Sequence, residues 1–141
     1  MENIYGTAEE LINEPLELYH GLVMLQLNGK HNGQSIQQLT ELLLKRSVET
    51  NSIAVLIDLT DTPADNSKTA QYLIDSVRPA LKSGTRLILA GVHPPSPQKP
   101  AYISADSSDI TICPSLMTGL WAALDILEPE SANIESDEVI R

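Results

Sequence analysis

Seven residues near the middle of the chain, IAVLIDL (Ile53–Leu59), constrain the fold most. The run is apolar apart from Asp58 and does not alternate. A strand with one wet face alternates, so this one reads as a central strand covered on both faces. LILAGV (Leu87–Val92) reads the same way. Between them Ala70, Leu73, Ile74, Val77 and Leu81 recur at helical spacing, with Gly84 placed to end the helix in a left-handed turn. Pro79 lies inside this stripe and is expected to kink or weaken the helix locally.

The flanking segments extend the pattern. Leu16–Tyr19 and Leu22–Leu27 read as strands joined by a turn at His20-Gly21, with further turns at Asn28-Gly29 and Asn32-Gly33. Ile36, Leu39, Leu43 and Val48, with Leu42 beside them, predict a helix over 35–49 capped by Ser35. Ile110–Cys113 is a short strand. Ser115 can cap a last helix whose Leu116, Leu120, Ala123, Leu124 and Leu127 share a face, with Pro129 beyond it. The order β-β-α-β-α-β-loop-β-α argues an α/β fold: a mixed or mostly parallel sheet with helices packed on it.

The 141 residues suffice for one domain with its own core. With no Phe and one Trp, aliphatic side chains must fill it. The net charge of −10 belongs to the ends. Residues 1–17 carry Glu2, Glu9, Glu10, Glu14 and Glu17 and no base; residues 128–141 carry five acids and Arg141; residues 18–127 are nearly balanced. The expected organisation is an acidic leader over 1–13 with a short helix at Thr7–Asn13, a domain over 14–127, and an acidic, disordered tail over 128–141. No basic face is available for nucleic acid or an anionic membrane, and no run is long enough to span a bilayer. The start lacks the basic region of a signal peptide, and Cys113 has no partner for a disulfide. A reduced cytoplasm is the expected compartment.

Catalytic signatures are absent: there is no phosphate-binding glycine loop and no GxSxG elbow. His20, His31 and His93 fall at separate turns without metal-ligand spacing, so neither metal nor cofactor is expected. Cys113 reads as a small buried apolar group. Trp121 reads as a packing or edge aromatic, or as a partner contact. HPPSPQKP reads as a stiff surface loop that contains a PxxP element. A convergent polar cluster for a small ligand is lacking. The remaining candidate is the turn DNSKT (Asp65–Thr69). Asp65, Asn66 or Ser67 can cap the following helix. A phosphorylated hydroxyl there would place negative charge where the helix N-terminus favours it.

Over about Glu14–Leu127 the chain resembles a STAS domain, closest in flavour to bacterial anti-sigma factor antagonists and stressosome subunits. The segments carrying the likeness are PLELYHGLVMLQLNGKHN, VLIDLTDTP, DNSKTAQYLIDSVRPALKSGTRLILAGVHP and ITICPSLMTGLWAAL. The resemblance implies a non-enzymatic regulator with a mixed sheet of four to five strands and helices mainly on one face. The implied partners are a serine/threonine kinase or anti-sigma factor, a phosphatase, and other STAS proteins. It also implies a phosphoacceptor in the turn before the second main helix. Ungapped matching puts Asn66 at the family's acid position and Ser67 at the hydroxyl; the second hydroxyl falls on Lys68, which cannot accept phosphate. A one-residue slip makes Asp65 the acid and Ser67 the second hydroxyl. Ser67 is thus the leading acceptor, Thr69 the weaker one, and Asp65, Asn66 and Lys68 flank them as partner contacts. The family's glycine after the hydroxyls is missing, and prolines 94, 95, 97 and 100 stand where members have a further helix. A constitutive scaffold without the switch is the alternative reading.

Overall fold

The computed structural model describes residues 15–29, 33–62, 67–92 and 109–128. The expected leader, the leader helix, His31, His93, the proline-rich loop, Asp65, Asn66 and nearly all of the tail lie outside them.

Five strands form one sheet in the order β1 (Leu16–Tyr19), β2 (Leu22–Asn28), β3 (Ala54–Asp61), β4 (Arg86–Ala90) and β5 (Ile110–Cys113). β1 and β2 are an antiparallel hairpin, with Gly21 at φ +94° in the turn; β2 to β5 are parallel. α1 (Gly33–Glu49) connects β2 to β3, and α2 (Ser67–Lys82) connects β3 to β4. α3 (Leu116–Leu127) follows β5.

Strand side chains alternate between two cores. Val23, Leu25 and Leu27, with Val55, Ile57 and Leu59 and with Leu87 and Leu89, meet α1 and α2 on one face. Leu22, Ala54, Leu56, Ile88, Ala90 and Cys113 meet Ala123 of α3 on the other. β3 is buried on both sides from Ala54 to Leu59, which explains why its sequence does not alternate. Among the described residues, α1 and α2 therefore share a face, and α3 covers the other.

The helix ends show how local chemistry sets the boundaries. Ser115 caps α3 in a full capping box: its Oγ accepts the Thr118 N–H at 3.2 Å, and Thr118 Oγ1 accepts the Ser115 N–H at 3.3 Å. Gly84, at φ +102°, closes α2, with the Gly84 and Thr85 N–H groups donating to Leu81 and Ala80. α2 runs through Pro79 to Lys82; the donor that Pro79 lacks falls in the last turn, on an exposed residue.

Several sequence expectations shift. α1 begins at Gly33, so Ser35 lies inside its first turn instead of capping it. Its buried stripe is Ile36, Thr40, Leu43 and Ser47, while Val48 is 77% exposed and Leu42 half exposed. The spacing of four from Leu43 lands on Ser47, and Val48 is turned a further 100° away. Thr40 can occupy this stripe because its hydroxyl donates to the Ile36 carbonyl at 2.7 Å. β3 starts after Ile53, which is exposed, and β4 ends before Gly91, at φ +74°. In α3, Leu124 turns away from the core side and Gly119 takes a central place on it.

Candidate functional site

The candidate site is where β3 hands over to α2. Past Asp61 the chain folds back through Thr62, whose N–H and hydroxyl both donate to the Leu59 carbonyl, at 3.1 and 2.6 Å. Ser67 is the first residue of α2, so the cap position falls on residue 66, outside the described residues. Ser67 therefore sits in the first turn instead of capping it.

The buried stripe of Ala70, Leu73, Ile74, Val77 and Leu81 fixes how this turn presents itself. At 100° per residue, Ser67 and Thr69 flank the stripe on opposite sides and Lys68 points away from it. Burial agrees: Ser67 and Thr69 are partly covered and Lys68 is exposed. The first turn contains no acid, so its N–H groups face no carboxylate from within that turn, and the Lys68 ammonium adds positive charge. The start of α1 is close by: a Cβ on Gly33 would lie 3.3 Å from the Tyr72 hydroxyl, so the two helices pack tightly near their N-terminal ends.

Beneath this turn, on the α3 side of the sheet, a buried carboxylate holds the strand ends. Asp58, only 4% exposed, accepts from Gln26 Nε2 at 3.1 Å, from the Thr60 N–H at 3.0 Å and from the Thr60 hydroxyl. This network ties β2 to β3 at the end from which the chain leaves for α2. The sequence signal for it is the single acid inside an apolar strand, since a buried carboxylate needs such donors.

The structure brings Ser67, Lys68 and Thr69 together at one helix start, with His20, Cys113 and Trp121 on other elements. His20 is exposed in the β1–β2 turn. Cys113 is buried at the end of β5; burial pushes its thiol pKa up, and the bond to Thr118 offsets this in part. Trp121 stands on the outer side of α3. Among the described residues, no group of three or more His, Cys, Asp and Glu is placed to hold a metal ion, and no helix is long and apolar enough to cross a membrane.

No protein-family model matches the chain. The chain is 24% identical over 120 residues to the RsbT co-antagonist protein RsbRA of Bacillus subtilis (strain 168). The match takes in 85% of this chain and 44% of RsbRA, so the chain spans less than half the length of that relative.

Proposed function

We propose that this chain is a non-enzymatic regulatory interaction domain of the STAS type, acting in a bacterial cytoplasm as an anti-sigma factor antagonist or stressosome subunit. The turn entering α2 is its partner-facing surface, and Ser67 its phosphoacceptor. The observation that carries this reading is the acid-free first turn of α2, where Ser67, Lys68 and Thr69 cluster at the end of β3. The similarity to a co-antagonist protein, which runs through that turn and most of the chain, supports it. Phosphate on Ser67 would lie against the helix N-terminus and within reach of Lys68, and would change the charge of the surface without refolding the sheet. The partners are a kinase or anti-sigma factor, an opposing phosphatase and other STAS proteins.

The test is incubation with a serine/threonine kinase of the kind proposed as partner, followed by site mapping with mass spectrometry. Label on Ser67 that vanishes in Ser67→Ala is expected, with Thr69→Ala leaving it unchanged. Absence of label anywhere between residues 62 and 70 removes the switch.

Ser67 is partly covered and belongs to the helix itself, which favours a second reading: a constitutive scaffold with no switch. On that reading Ser67→Asp leaves kinase capture and assembly size unchanged by light scattering. On the first reading it releases the kinase.

A further inference from the structure

α3 closes only part of its face of the sheet. It packs across β3, β4 and β5. The same face of β1 and β2 has no described helix across it. There Leu16 and Tyr19 are 54% and 47% exposed, beside the half-buried Met24. Strands lie about 4.8 Å apart and a helix is about 10 Å wide, so one helix cannot close five strands. On the opposite face α1 and α2 share that task.

Met117, Trp121 and Leu124 form an apolar stripe on the outer side of α3. Two contacts fix how this helix is turned. Leu127 lies against Gly21 in the β1–β2 turn, and Thr118 bonds to Cys113 of β5. At 100° per residue Thr118 is half a circle from Leu127, whereas Met117 and Leu124 are within about 80° of it. These two exposed side chains therefore look across toward β1. The result is a groove with Leu16, Tyr19 and Met24 as its floor and Met117, Leu124 and Leu127 as its wall. The ion pair of Arg86 with Asp109 belongs to the β4–β5 side of the sheet, away from this groove.

The segment that enters β1 carries a matching pattern. Ile4, Tyr5, Ala8, Leu11 and Ile12 recur at helical spacing, and Glu2, Glu9 and Glu10 fall about 100° or more from the centre of that stripe. As a helix, residues 4–12 would be about 13 Å long, and the four residues of β1 also span about 13 Å. We propose that this leader docks in the groove of its own chain as an amphipathic helix antiparallel to α3. Asn13, Glu14 and Pro15 make a join of ordinary length, and so short a tether holds the leader beside the groove at high local concentration. The chain enters β1 at Leu16, opposite Met24, while Tyr19 lies toward the Gly21 turn. Leu11 and Ile12 then meet Leu16 and Met117, and Ile4 and Tyr5 meet Tyr19 and Leu124. This contact does not depend on the reading of Ser67, and either outcome there leaves it standing.

Hydrogen exchange read by mass spectrometry on the full chain tests this. An isolated helix of this length is marginal in water, so slow exchange over residues 5–12 reports docking. These amides should exchange at least about tenfold more slowly than in the urea-unfolded chain. Leu11→Glu in the leader, and separately Leu124→Glu in the wall, should remove that protection and leave β3 and β4 protected. Ile4→Cys combined with Leu124→Cys should oxidise to a disulfide within one chain, running near 15.4 kDa without reductant; Cys113 is buried and does not compete. Three results overturn the proposal: leader amides that exchange as fast as in the unfolded chain, protection that survives Leu124→Glu, or a disulfide that joins two chains. The last would mean that the groove takes the leader of a second copy.

Discussion

Gly91 and Thr60 show how closely the ends of β3 and β4 approach. A Cβ on Gly91 would lie 2.5 Å from Thr60 Oγ1 and 2.6 Å from its backbone nitrogen, and Gly91 already stands at φ +74°. The same Thr60 is held by Asp58 through both its N–H and its hydroxyl, so it cannot yield without breaking the network that joins β2 to β3. Gly91→Ala therefore meets strain from the left-handed backbone and from a contact with main chain. The expected loss is about 3 kcal/mol, measured as a shift of the urea midpoint at unchanged slope. Ala on Gly84, where a Cβ meets nothing within 4 Å, should cost only the backbone part, about 1 kcal/mol. The comparison separates crowding from φ. Neither Gly91's contact nor Asp58's donors can be read from the sequence, because both arise where neighbouring strands end together; Asp58 only advertises that it needs partners.

Elements differ in how plainly their sequences state them, and the reason is which residues carry the buried face. α2 could be read because every position of its stripe is aliphatic, from Ala70 to Leu81. α1 was legible as a helix and misread in phase. Thr40 and Ser47 occupy buried positions, while Leu42 and Val48 are left outside, so apolar spacing points one step away from the true face. α3 failed in the opposite way: almost every residue is apolar, and Leu124 of the outer stripe was indistinguishable from the Leu residues of the inner one. Its start was legible, since Ser115 precedes the apolar run and Thr118 follows at the reciprocal position. Ser115→Ala removes the acceptor for the Thr118 N–H and should cost about 1 kcal/mol in thermal or urea unfolding, with Ser115→Gly costing less. At α2 the corresponding position falls on residue 66, outside the described residues, so the candidate site could be placed by its helix start and by Ser67, Lys68 and Thr69, but not by its cap.

The two cores do not belong to separable halves, because one strand serves both. Within β3, Leu56 packs toward α3, and its neighbour Ile57 packs toward α1 and α2; both are fully buried. A cavity on either side is thus felt by the same backbone, whose ladders to β2 and β4 hold the sheet together. Leu56→Ala and Ile57→Ala should each cost about 3 kcal/mol, within the range for emptying a packed core position. The informative measurement is the number of transitions. Trp121 reports on α3 alone, whereas far-ultraviolet circular dichroism weighs α1 and α2 as well. At one protein concentration the two signals should trace the same urea curve for the parent chain and for both variants, since loss of β3 removes the support of every helix at once. Were α3 a separate layer resting on a stable sheet, Leu56→Ala would bring the tryptophan signal forward and leave the ellipticity of α1 and α2 behind. Coincident curves in Leu56→Ala would mean that the surface presented by α3 and the turn that starts α2 stand or fall together, so that neither can be altered by unfolding without the other.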